Sequence, residues 1–209
     1  MSNKFVVGGG WSAGQFDQLD RLTKWGEVIG VNDSMWRIPC DIGLTMDRLW
    51  FENRFETIRQ RDMFKAPLDN VWVREKCDCN IKQPKTWSTF IHYNKPYPTM
   101  EEGTLHGGNS GTCAINLALQ TMLEGDRLFL FGFDMCRGPK NQPYWYPPYP
   151  WAQPQGATKQ GHFDQWARDM RGFGTWATSR GILIYNVTIR SKLDAFQKID
   201  FAKFLEIVQ

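Results

Sequence analysis

Four groups of residues in this sequence have the types and spacing to bind an anion or move a proton. The first is Gly8-Gly9-Gly10-Trp11-Ser12-Ala13, a match to G-x-G-x-x-A, followed by Gly14. Glycines there admit positive φ and let a backbone approach a phosphate or ribose closely. No Gly-Lys-Ser/Thr follows, which excludes a P-loop. The second group is Gly107-Gly108-Asn109-Ser110-Gly111-Thr112, where side-chain donors gather at the start of an Ala/Leu-rich stretch. The N–H groups and dipole of a helix beginning there favour an anion. The third group stands just after short apolar runs: Asn32, Asp33, Asp47 and Asp134. The fourth is His162, which follows Gly161 and a segment carrying Tyr144, Trp145, Tyr146 and Tyr149.

Each group also has a plainer reading. The first glycine loop also serves as a tight strand–helix turn, and the second as an N-cap motif in front of a packing helix. Asn32 suits hydrogen bonding to a ribose or base; Asp33 and Asp47 suit a sugar hydroxyl, a metal or a helix cap. Asp134 ends the most apolar run in the chain, where a carboxylate is either functional or tied to a neighbouring loop. A histidine at a helix start has its charged form disfavoured by the dipole, which keeps it available as a base.

These residues must be held by elements that the periodicity predicts. Residues 4–7, 27–31, 41–45, 70–74, 127–132 and 182–186 read as strands. Phe16, Leu19 and Leu22 recur after the first glycine loop and predict a helix there. Further helices are expected over 47–63, 112–123, 162–179 and 199–208. Residues 77–100 read as irregular, and the proline-rich stretch 139–154 as incapable of regular structure. The Arg127-Leu-Phe-Leu-Phe-Gly132 run is what a strand covered on both faces needs. Alternating strands and helices predict an α/β fold: one Rossmann-like, doubly wound, mostly parallel sheet over residues 1–209, with an aromatic, proline-rich lid at about 137–160. Such sheets bind ligands beyond the carboxyl ends of their strands, near the point where strand order reverses. That is where all four groups fall.

Composition narrows the function. A net charge of +3 does not point to nucleic acid, although it does not exclude it. Five cysteines form no disulfide framework; Cys77-Asp-Cys79 is CxC rather than CxxC. Free thiols, no apolar run long enough to span a bilayer, and a first strand directly after the start together predict a cytoplasmic protein without a signal peptide.

The order of these motifs resembles the small bacterial sialyltransferases that use CMP-activated sialic acid. It also resembles their wider relatives, the motility-associated glycosylation proteins and the archaeal 6-hydroxymethylpterin diphosphokinases. Gly8 to Ser12 resembles their first Gly-rich loop, and Asn32 the Asn that ends their second strand. Asn109 to Ala118 resembles their Ser-Gly turn and Ala-rich helix, and Leu128 to Asp134 the following strand. Gly161-His162 resembles their Gly-His, and Asn186 with Ser191-Lys192-Leu193 their closing strand. Gly9 and Asp47 stand where the sialyltransferases carry Asn. The resemblance implies a glycosyltransferase that moves a sugar from a nucleotide-activated donor, CMP-type by preference, to an acceptor hydroxyl. His162 would be the general base, with Tyr146 and Tyr149 donating to the leaving phosphate. Gly8, Gly9, Gly10, Ser12, Asn32, Asp33, Asp47, Asn109, Ser110, Gly111 and Asp134 would bind the nucleotide. The diphosphokinase branch implies Mg²⁺ held by Asp47 and Asp134 instead. A third alternative is a non-catalytic nucleotide- or sugar-binding protein, possible in a phage. An NAD-dependent dehydrogenase fits the order of elements after the first loop poorly.

Overall fold

The computed structural model describes residues 1–47, 50, 51, 53, 54, 71–74, 87–147, 149, 160–188 and 190–209; for 71–74 and 87–90 the description covers the backbone alone. Nine strands among these residues form one sheet: β1 (Asn3–Val7), β2 (Glu27–Val31), β3 (Ile42–Thr45), β4 (Val71–Arg74), β5 (Trp87–Tyr93), β6 (Thr104–His106), β7 (Arg127–Phe131), β8 (Leu183–Asn186) and β9 (Gln197–Lys198). Their order is β6-β5-β4-β3-β2-β1-β7-β8-β9. Every neighbouring pair is parallel. The chain therefore builds outward from β1 to β6, crosses back, and builds outward again from β7. The reversal lies between β1 and β7.

Period-two alternation explains why both faces are covered. Phe5, Val7, Phe129 and Phe131 point to one face, where they meet Phe16, Leu22, Trp50 and Phe204. Val6, Leu128 and Leu130 point to the other, under the helix Ser110–Leu119 and the pair Gln160–Asp169 and Arg171–Ser179. Phe204, from the C-terminal helix Phe201–Val208, packs edge-on to Phe129 at 5.1 Å and Phe131 at 5.2 Å. The sheet is doubly wound, as expected.

Several expectations are corrected. No α-helix follows the first glycine loop. Two 3₁₀ segments, Trp11–Gln15 and Leu19–Lys24, stand there instead. Leu19 and Leu22, three residues apart, share one face of the second segment, as a 3₁₀ helix requires, while Phe16 stands in extended backbone between the two. Residues 77–100 are not wholly irregular, since β5 occupies Trp87–Tyr93. The stretch 162–179 is two helices, broken at Met170. The second helix presses its glycines against backbone: a Cβ at Gly174 would meet the Ala195 carbonyl oxygen. Of the helix expected over 47–63, residues 50, 51, 53 and 54 are helical; Cys77, Cys79 and residues 55–63 lie outside the described residues. Cys40, Cys113 and Cys136 are free thiols. Among the described residues no helix is long and apolar enough to cross a membrane.

Candidate functional site

The cleft at the β1/β7 reversal begins with backbone. Beyond β1, the Gly8 N–H donates to the Phe131 carbonyl at 2.8 Å and the Gly10 N–H to that of Gly132 at 2.9 Å. The glycine loop thus continues the strand pairing into the cleft. Gly10 is glycine for a steric reason: a Cβ there would strike an Asp134 carboxylate oxygen and lie 2.5 Å from the Gly132 carbonyl oxygen. The Ser12 N–H then donates to Asp134 Oδ2 at 3.2 Å. Gly9 is open for another reason. A Cβ there would come within 2.6 Å of the Tyr146 hydroxyl. Its carbonyl accepts from the Trp145 N–H at 3.1 Å, which ties the aromatic segment to the loop.

Asp134 is fixed from the β8 side as well. Asn186 Nδ2 donates to the Phe133 carbonyl at 3.2 Å and Ser191 Oγ to the same oxygen at 2.6 Å. The Lys192 N–H donates to the Asp134 carbonyl at 2.9 Å. Burial raises the Asp134 carboxyl to about 6, against the opposing hydrogen bonds from Ser12. Its Oδ1 is buried with no hydrogen-bond partner.

Two asparagines complete the polar wall. Asn32 follows β2 with φ of 51°, a left-handed geometry that Asn tolerates, and its Oδ1 is buried without a partner. Asn109 caps the Ser110–Leu119 helix, Oδ1 accepting from the Thr112 N–H at 3.0 Å. That bond fixes the amide's orientation and leaves Nδ2 buried and unpaired. Ser110 Oγ accepts from the Met46 N–H at 3.0 Å.

Together these residues enclose a cavity of about 440 Å³. Gly8, Gly9, Gly10, Asn32, Asp47 and Asp134 line it. So do Asn109, Ser110, Gly111, Tyr146 and Tyr149. Asp47 lines it at its edge while Oδ1 accepts from the Trp50 N–H at 3.0 Å, a helix-capping bond. Sequence reasoning missed the apolar floor of Met46, Phe133 and Met135 and the wall of Phe163 and Trp166. The i, i+3 spacing of Phe163 and Trp166 is the signal that could have found that wall.

Three expected residues do not line the cavity. Ser12 turns its hydroxyl to Thr188 Oγ1 at 2.9 Å and reaches the cavity only through Asp134, whose carboxylate both its hydroxyl and its N–H stabilise. Asp33 is fully buried behind the wall, accepting from Trp50 Nε1 at 2.7 Å and from Arg37 and Arg54 at 3.3 Å. His162 lies in the first turn of its helix, as expected, but its side chain is exposed. Phe163 and Trp166 take the inward face of that helix, which leaves His162 outside, its ring stacked on Trp166 at 6.2 Å. The other histidines are bound to backbone carbonyls, His92 to Gly107 at 2.6 Å and His106 to Tyr97 at 3.0 Å.

Of the expected lid, residues 137–147 and 149 are described and contain no regular element; 148 and 150–159 lie outside the described residues. Tyr144 and Tyr146 stack at 5.2 Å, and the Tyr146 and Tyr149 hydroxyls are 3.0 Å apart. Burial holds both of the latter phenols above their ordinary range, so each keeps its proton. Among the described residues no group of three or more Asp, Glu, His or Cys is arranged to hold a metal ion. No protein-family model matches the chain, and neither the curated proteins nor the solved structures compared with it give a match.

Proposed function

We propose that this chain binds a nucleotide-activated donor in the β1/β7 cleft and transfers the activated group, a sugar by preference, to an acceptor hydroxyl. One observation carries the reading. Three buried polar atoms without partners, Asn32 Oδ1, Asn109 Nδ2 and Asp134 Oδ1, belong to residues lining one cavity. A buried polar atom left unpaired costs about 1–3 kcal/mol, so three at one place call for a ligand. Their chemistry suits a nucleoside or sugar at the two asparagines, which offer one acceptor and one donor, and a hydroxyl group at the Asp134 carboxylate. The glycine loop and the first turn of the Ser110–Leu119 helix suit the phosphate between them. The protonated Tyr146 hydroxyl stands over Gly9, where it can donate to a departing phosphate oxygen.

The test is a thermal-shift screen with CMP, CDP, UDP, GDP, ATP and NAD, with and without Mg²⁺. A ligand at about 100 times its dissociation constant adds roughly 2.7 kcal/mol. In a domain of this size that raises the melting temperature by about 5–10 °C. A cytidine nucleotide that acts without metal is the expected result. A shift by ATP only with Mg²⁺ replaces transfer with the diphosphokinase reading, in which Asp47 and Asp134 hold the ion. Tight binding of a nucleotide sugar that is never turned over makes the chain a binding protein. No shift with any ligand overturns nucleotide binding.

A further inference from the structure

We infer that Asp134, not His162, is the catalytic base that accepts the proton of the attacking hydroxyl. The inference rests on the transfer reading above and adds to it the residue that does the proton chemistry.

The cavity decides between candidates by geometry. His162 is on the exposed face of its helix and is not part of the cavity wall. Among the described residues two carboxylates line the cavity, Asp47 and Asp134. Asp47 is exposed, and one of its oxygens already caps the Trp50 N–H. Asp134 is 2 % exposed and divides its two oxygens cleanly. Oδ2 accepts from the Ser12 N–H, and Oδ1 has no partner. A base needs one uncommitted lone pair and the rest of the group immobile. The immobility comes from the missing Cβ at Gly10 and from the Asn186, Ser191 and Lys192 bonds to the carbonyls of Phe133 and Asp134.

In the step, the acceptor O–H gives its proton to Asp134 Oδ1. The oxygen lone pair forms the new bond to the activated carbon of the donor. The bond from that carbon to the phosphate oxygen breaks, and its electron pair leaves with the nucleotide. The carboxylic acid returns its proton to solvent once the product has left.

Nucleotide release from CMP-sialic acid, with water as acceptor, measures turnover without knowledge of the natural acceptor. The full chain is compared with Asp134→Asn, whose amide oxygen can still accept from Ser12 but whose amide cannot take a proton. Expected is a nucleotide dissociation constant within about threefold of wild type and a turnover lowered by about 10²–10⁴. Asp134→Ala should show the same loss, and added formate should restore part of it by supplying a carboxylate to the vacated space. If Asp134→Asn does not fold, the formate response of Asp134→Ala decides alone, and its absence overturns the proposal. Turnover near wild type in a folded Asp134→Asn overturns it, as does a wild-type rate that requires Mg²⁺ and a variant that has merely lost Mg²⁺ affinity. A His162→Ala protein that loses turnover while Asp134→Asn retains it returns the role to the histidine. Failure of the wild-type chain to bind any nucleotide overturns the underlying reading and this inference with it.

Discussion

Asp134 owes its proton affinity to burial, and the same burial makes its charge a cost to the folded chain. The carboxyl titrates near 6 in the fold and near 3.9 in an unfolded chain. Between those values the folded state holds a proton that the unfolded state has released, so stability falls as pH rises through that window. The stabilisation is complete below about pH 4 and gone above about pH 6, a change on the order of 3 kcal/mol. Other carboxylates give slopes of the opposite sign, so the measurement is a difference. Denaturant unfolding of wild type and Asp134→Asn from pH 4 to pH 7 should show the Asn variant gaining steadily on wild type. Parallel curves would show that the group titrates normally. Gly10 is the other residue whose role changes with the structure in view. From the sequence it makes room for a ligand; in the fold it first makes room for Asp134. Gly10→Ala should therefore cost about 1–3 kcal/mol of stability even without ligand, read as a lower urea midpoint with an unchanged slope.

The elements that matter most to the cleft are joined by a cluster the sequence did not reveal. Asp33, just beyond β2, holds Arg37 and Arg54, whose guanidinium groups lie over Trp36 at 4.3 and 5.3 Å. Arg37 also lies 5.3 Å from the Tyr146 ring, and Arg54 5.9 Å from that of Tyr149. Asp33 thus anchors the aromatic wall from behind. Asp33→Ala would remove the buried carboxylate that accepts from Trp50, Arg37 and Arg54, and a loss of about 3 kcal/mol is expected. Tryptophan fluorescence should also change, since Trp36 and Trp50 lie in the cluster. A variant as stable as wild type would show the cluster to be ornamental to folding. The glycine loops and the strands β1, β2, β3 and β7 were legible because each apolar run ends in a glycine or a polar turn. Asn32 and Asp134 were legible for the same reason: strand ends select them. Asp33 was misplaced because neighbours at a strand end face opposite ways, and a sequence does not say which one turns inward. β6 and β9 were not legible because strands of three and two residues have no periodicity to read. His162 was misplaced because helix phase, set by Phe163 and Trp166, decides which residue faces the cleft.

At the scale of the whole molecule, the strand order sets when the cleft can exist. β1 pairs with β2, close in sequence, and with β7, far from it. Ser12 and Asp134, which meet across the cleft, are 122 positions apart. Such contacts form late, after the entropy of closing a long loop has been overcome. On a ribosome making about 5–20 residues per second, the glycine loop exists for roughly 6–24 s before its partner strand has even been made. In that interval β1, with Phe5, Val6 and Val7, is an apolar edge with only β2 beside it, open to pairing with another nascent chain. The chain's most vulnerable moment therefore precedes synthesis of β7. Slowing translation between β2 and β7 should raise the aggregated fraction of newly made protein, while the same slowing after β7 should leave the soluble yield unchanged.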